Sequence, residues 1–208
     1  MKKHLTLIGM SGAGKSRWCK RLVAEAGYTA LCCDDLIEER LAPILQANGF
    51  GGIEGVARWM GQPYEPYSPG RQALYLKQEE SVMRGALRAL SKSAEPLVID
   101  TTGSVIYLGD EILAALRKRS TVVHLNVSMK HREEMYQKYL RKPKPVIWND
   151  HFAPFYGESP EETLARCYPL LIEYRQEQYR KWARVTIGYH ERRDPGFDIR
   201  AFLKKVRG

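Results

Sequence analysis

The stretch GMSGAGKS, residues 9–16, decides how the rest of the chain is read. It satisfies G-x-x-x-x-G-K-[ST], and it has the flanks that such a loop needs. Before it lies a short apolar run, HLTLIG (4–9), and after it a helical pattern from Lys15 to Glu25 that stops at Gly27. Gly9, Gly12 and Gly14 let the backbone turn tightly, so that successive N–H groups, those of Ser11 and Ala13 among them, face a phosphate with no Cβ in the way. The positive end of the following helix adds to that attraction. Lys15 is placed to reach the β- and γ-phosphates of ATP or GTP, and the Ser16 hydroxyl is the expected Mg²⁺ ligand.

Outward from the loop, apolar runs alternate with helical patterns. TALCC (29–33), PLVID (96–100), TVVHLNV (121–127) and VTIGY (185–189) read as further strands. Helices are predicted from Asp34 to about Ala47, interrupted near Pro43, and over 71–91, 105–118, 130–140, 161–184 and 196–206. Five strands separated by helices of this length predict an α/β fold of the P-loop NTPase type, with a parallel five-stranded sheet covered on both faces. One domain over 1–208 is expected. Two segments break the periodicity. Residues 48–75 are rich in Pro and Tyr and form a candidate acceptor-binding insertion; 141–160, long, basic and aromatic, form a candidate lid.

The 208 residues carry a formal charge of +9, but the bases are mixed with acids along amphipathic helices. That distribution suits small anions better than nucleic acid, although it leaves a nucleic-acid partner open. No apolar run is long enough to span a membrane, which excludes an integral membrane protein of the helical kind. The four cysteines have neither disulfide density nor zinc-ligand spacing. Cys32 and Cys33 read as reduced packing residues on a strand, and the chain is expected in the cytoplasm.

The order of motifs resembles the shikimate kinase family of P-loop small-molecule kinases. Asp34, with Ile37 and Glu38, fits the second aspartate of that family's Asp-x-Asp-x-x-Ile-Glu, which implies that it holds acceptor hydroxyls and helps activate the attacking oxygen. The first, metal-side aspartate of the motif falls on Cys32. Thr101-Thr102-Gly103-Ser104 occupies the family's triple-glycine turn and keeps one glycine. Lys144-Pro145-Val146-Ile147 resembles the Arg-Pro-Leu-Leu lid, with Lys for Arg. Arg175, Tyr179 and Ala183 fit the late helix, where the family's arginine clamps the substrate carboxylate. The aromatic-Arg-x-x-Glu element answers only as Tyr75-Leu76-Lys77-Gln78-Glu79, so the resemblance requires Arg58 or Arg71 to substitute from elsewhere. It also implies that the loop HERRDPG, through Arg192 and Arg193, borders the adenine. The implied activity is transfer of the γ-phosphoryl group of ATP to a hydroxyl of a small, polyhydroxylated or anionic acceptor, shikimate first. Another sugar acid, a nucleoside or a nucleotide is the alternative acceptor, and a non-catalytic nucleotide-binding or RNA-interacting protein is the alternative class.

The residues themselves support distinct roles. Asp34 follows a parallel strand, where open sheets place ligands, and either orients an acceptor hydroxyl and accepts its proton or simply caps a helix. Asp35 reads as a first-turn acid. Asp100, which ends a hydrophobic strand beside the loop, is the candidate to hold Mg²⁺ in place of the acid missing at Cys32, or else it caps the DTTGS turn. Arg141, Lys142 and Lys144 are placed to neutralise the transferred phosphoryl group, with Trp148, Phe152 and Phe155 shutting out water, unless the segment is a solvated loop. The fork of Arg175 suits an anionic acceptor group, or a helix-face ion pair. His131, His151 and His190 lack metal-site spacing.

Overall fold

The computed structural model describes residues 3–128, 132–142 and 144–208. The expected helix start at Lys130, the unassigned His131, and Pro143 of the lid segment lie outside the described residues.

Five strands, β1 (Leu5–Ile8), β2 (Thr29–Cys32), β3 (Leu97–Asp100), β4 (Thr121–Leu125) and β5 (Val185–Ile187), form one parallel sheet in the order β2-β3-β1-β4-β5. Every residue of β1, β3 and β4 is buried. Since successive side chains point to opposite faces, both faces of the central strands must be covered, as their unbroken apolar sequences predict. β1 lies at the centre, flanked by β3 and β4. Several buried polar residues here are bonded: His4 Nδ1 accepts from Leu97 N at 3.1 Å, Thr6 and Ser120 hydroxyls pair at 2.7 Å, and Thr101 donates through Oγ1 to the Leu7 carbonyl at 2.8 Å. The last bond sets the turn after β3 beside the phosphate loop.

The helices are α1 (Lys15–Ala26), α2 (Cys33–Ala47), α3 (Gly52–Met60), α4 (Ser68–Lys92), α5 (Asp110–Arg119), α6 (Arg132–Arg141), α7 (Pro160–Trp182) and α8 (Ile199–Arg207). α1 ends at Gly27 in the left-handed conformation, and α7 begins with a capping box between Ser159 and Glu162. Three readings need correction. α2 starts one residue earlier than expected, so Cys33 is its first residue rather than part of a strand. It also runs through Pro43 without interruption. The 48–75 segment is no irregular excursion: it holds the whole of α3 and the first two turns of α4, which opens on Ser68-Pro69 because proline suits a first turn. Short α3 was missed because GGIEGVARWM carries three turn-favouring glycines and chain neighbours that look like loop.

The lid segment also differs from expectation. Trp148 is 2% exposed and packs among Tyr139, Phe152 and Tyr168 at ring separations of 5.9–6.1 Å. Its backbone N–H donates to Gln72 Oε1 at 2.8 Å, and the Ile147 carbonyl accepts from Arg175. Ile147 and Trp148 are therefore part of the core with Phe152 packed against it, and of this segment Lys142, Lys144, Pro145 and Val146 border the cleft described below. Phe155 is 64% exposed under the Arg166 guanidinium and does not close a site. Among the described residues no helix is long and apolar enough to cross a membrane.

Candidate active site

At the C-terminal edge of the sheet, the turn from β1 into α1 holds Gly9, Gly12 and Gly14 at φ 144°, 78° and 93°. The conformation is reserved for glycine, and at Gly9 space forbids anything larger as well: a Cβ would lie 2.8 Å from the Leu125 carbonyl oxygen. Lys15 is 6% exposed and curls back over its own loop, donating to the carbonyls of Gly9 at 2.9 Å and Met10 at 3.2 Å. Burial lowers its pKa, with Asp100 and Asp34 acting in the opposite direction. Ala13 is buried beneath the loop, while Ser11 and Ser16 are exposed.

Two connected hollows adjoin this loop. The larger, with a cavity volume of about 200 Å³, lies between the loop, α6, Val127 and the segment after β5. Ser11, Gly12, Lys138, Lys142, Tyr189 and Arg193 line it, together with Arg175 from below. The smaller hollow, about 20 Å³, is walled by Ser11, Lys15, Asp34, Ile53, Tyr75, Gly103, Lys144 and Pro145. Ser11, Gly103, Lys144 and Pro145 belong to both, so the two are neighbouring parts of one cleft.

Asp34 sits in the first turn of α2, one position past the helix's first residue, while the N-cap position is held by Cys32. Burial raises its carboxyl pKa, and Lys15 and Lys144 oppose the shift. Lys15 and Lys144, from two distant parts of the chain, thus both act on this carboxylate. Asp35 points outward. Asp100 is 5% exposed, and its Oδ1 is buried with no hydrogen-bond partner. Burial raises its pKa too, countered by Lys15 and then by the Ser16 hydroxyl. A buried, unpartnered carboxylate oxygen beside a hydroxyl is a donor set that fits Mg²⁺, which takes hard oxygen ligands.

Arg175, from α7, is 2% exposed; it donates through Nη2 to the Ile147 carbonyl at 2.5 Å and lies over the Tyr107 ring at 5.3 Å. Its Nη1 lies 3.4 Å from the position that a Cβ on Gly103 would take, so a side chain there would crowd the guanidinium. Tyr179, one turn further along α7, donates to the Gly103 carbonyl at 2.5 Å. Thr102 faces the other way and donates to Glu79 of α4. Ser104 donates to the same carboxylate at 2.6 Å. Glu79 is fully buried, and burial pushes it up to about 7 against the pull of those two hydroxyls.

Several expected residues stand elsewhere. Arg58 is exposed on α3 and lines, with Gln62 and Glu65, a neighbouring hollow that shares Tyr139, Lys144 and Val146 with the cleft. Arg71 donates to the Trp59 carbonyl and stacks on Tyr67 at 3.9 Å, so it ties α3 to α4. Arg141 is exposed at the end of α6, beside Glu133 and Gln137, on a hollow that shares Glu134, Lys138 and Lys142 with the cleft but does not bring Arg141 into it. Arg192 turns inward and donates to the carbonyls of Asn126 and Ile187; burial and Arg193 bring it down to about 10. Its neighbour Arg193, held over Tyr189 at 3.7 Å, takes the cleft position.

Sequence reasoning missed Lys138, whose Nζ lies 4.0 Å from where a Cβ on Gly12 would be. The signal was available. Glu134, Met135, Lys138, Tyr139 and Lys142 all line the cleft, and their spacing is that of one helix face. Glu79 was also missed as the anchor of the 102–104 turn, and nothing local in the sequence marks it.

Sheet order, phosphate loop and flanking helices together are consistent with P-loop kinase architecture. No protein-family model matches the sequence, and no curated protein does. Solved structures do share its fold. The shikimate kinase from Acinetobacter baumannii in complex with shikimate is 22% identical, matching 88% of this chain and 82% of that one with a TM-score of 0.56. That from Bacteroides thetaiotaomicron is 18% identical over 98% and 94% of the two chains, TM-score 0.57. That from Aquifex aeolicus is 15% identical over 99% and 96%, TM-score 0.57. At these identities the likeness is one of fold.

Proposed function

We propose that this chain transfers the γ-phosphoryl group of ATP to a hydroxyl of a small polyhydroxylated acid, shikimate being the first acceptor to test. The observation that supports this reading is the convergence of Lys15, Asp34 and Lys144 on one hollow that opens into the cleft over the phosphate loop. A nucleotide-binding module has no need of a half-buried carboxylate between two lysines at that point. A kinase does: the carboxylate orients the acceptor hydroxyl and accepts its proton as the oxygen attacks phosphorus.

Lys15, on leaving its own loop carbonyls, binds the β- and γ-phosphates, and Lys144 meets the charge that develops on the transferred group. Arg175 binds the acceptor's anionic group. Lys138 and Arg193 line the nucleotide's side of the cleft, taking the part expected of Arg141 and Arg192. Mg²⁺ would be held by Ser16 and Asp100, and it supplies neutralisation of the phosphate oxygens when bound. The hollow around Asp34 has room for about one water, so a multi-carbon acceptor requires Lys144 and Pro145 to move. Such a moving cover is what a kinase uses to keep water from the nucleotide.

The test is ADP release with shikimate and a panel of sugar acids, nucleosides and nucleotides. Acceptor-stimulated release, abolished in Asp34→Asn, supports the reading. ATP binding without stimulation by any acceptor overturns it in favour of a nucleotide-binding regulatory protein.

A further inference from the structure

Beneath the phosphate loop, two thiols and a carboxylate meet from three elements. Asp100 ends β3, Cys32 ends β2, and the two are register partners on adjacent parallel strands. Their side chains therefore leave the sheet on the same side. Cys19 lies three residues beyond Ser16 on α1, hence on the same face of that helix, and α1 packs against both β2 and β3. The Sγ atoms of Cys19 and Cys32 and a carboxylate oxygen of Asp100 all lie within 4.8 Å of one another. Cys19 and Asp100 are buried, Cys32 is partly exposed, and both cysteines are free. The buried Asp100 Oδ1 has no hydrogen-bond partner.

We propose that Cys19, Cys32 and Asp100 form a binding site for a soft divalent cation of the Zn²⁺ class. A tetrahedral zinc with Zn–S bonds of about 2.3 Å spaces its ligands by roughly 3.7 Å, so small side-chain rotations close the set. Two thiolates and one carboxylate leave a fourth position for water, reached from the Cys32 side. On binding, two S–H bonds break, two metal–sulfur bonds form, and both protons pass to solvent. Thiolates select zinc over Mg²⁺, which prefers oxygen. Asp100 is shared: Ser16 approaches it from the phosphate side, Cys19 from the other end of the same turn of α1, and Cys32 from the neighbouring strand. Zinc at the trio would withdraw that carboxylate from Mg²⁺ and inhibit phosphoryl transfer. This consequence rests on the kinase reading; binding itself does not.

The probe is Cd²⁺ added to the reduced, metal-free full chain. A thiolate-to-metal absorption band that saturates at one equivalent is expected, with binding weakened by more than about tenfold in Cys32→Ser and kept in Cys167→Ser. Cadmium NMR of the unaltered protein reads the ligand set without any substitution, and a mixed sulfur–oxygen environment is expected. No band at one equivalent, a band that survives Cys32→Ser, or an all-oxygen cadmium signal overturns the proposal. If the band forms and no acceptor stimulates ADP release, the metal site stands and only the kinase reading fails. If turnover is found, Zn²⁺ inhibits it reversibly on chelation; turnover unaffected by stoichiometric bound metal overturns the sharing of Asp100.

Discussion

Around the phosphate loop, conformation is set by three glycines at positive φ and by a lysine bonded to two carbonyls of its own loop. Around Asp34 it is set by side chains from α2, α3, α4 and the 144–145 segment, whose relative positions depend on packing many residues away. The first region is one short stretch of chain; the second gathers residues of α2, α3, α4, the turn after β3 and the 144–145 segment. The loop is thus a local structure, and the proposed acceptor side is an assembly of distant parts. Substitutions on the two sides should fail differently.

The largest effect is expected from Lys15→Ala, which removes the one buried cation of the loop and should lower kcat by about 10³-fold with the fold intact. A loss under tenfold in steady-state assays would mean that Lys138 carries the phosphate charge instead. Asp34→Asn should cost roughly 10²-fold in kcat with little change in ATP affinity. Equal losses in nucleotide binding would erase the distinction between the two sides.

Glu79 tests the assembly through stability. Its folded pKa of about 7 stands above the ordinary 4.5, so the folded state binds the proton more tightly than the unfolded chain does. Its contribution is complete below pH 4.5 and is lost as the pH rises through 7, by about 3 kcal/mol in all. Urea melts at pH 5 and pH 8 should differ by that order in the unaltered protein, and much less in Glu79→Gln. An equal pH dependence in both would show that the 102–104 turn does not rest on this carboxyl.

Lys144→Ala should lower kcat/KM by about tenfold, and Lys144→Arg should restore most of it. Smallest of all, adding nucleotide and acceptor should change hydrogen exchange at 144–146 while leaving 147–152, locked by Trp148, unaltered. Matching changes across both segments would return the whole 141–160 stretch to the lid.

The same contrast explains what could be read from the sequence. Strand runs, phosphate loop and most helices are local patterns of period two or 3.6, and they were legible to within a few residues. The positions of Asp34 and Asp100 beside the loop were legible because one follows a strand and the other ends one, at the edge where ligands bind. Arg71 was not, since nothing in its surroundings shows that Trp59 and Tyr67 occupy it. Arg192 and Arg193 are adjacent and chemically alike, and only the turn after β5 decides which faces inward. The burial of Trp148 depends on Tyr139 and Tyr168 from two other elements, which no window of sequence contains.

Gly9 has a consequence for how such a chain drifts. Its φ of 144° and the Leu125 oxygen 2.8 Å from any added Cβ make it a position with one permitted letter. In a saturation library screened for folded, nucleotide-binding members, position 9 should return glycine alone. Position 58, exposed on α3, should return nearly the whole alphabet. An alphabet that narrow at one point and that wide at another lets a fold persist while most of its spelling is replaced.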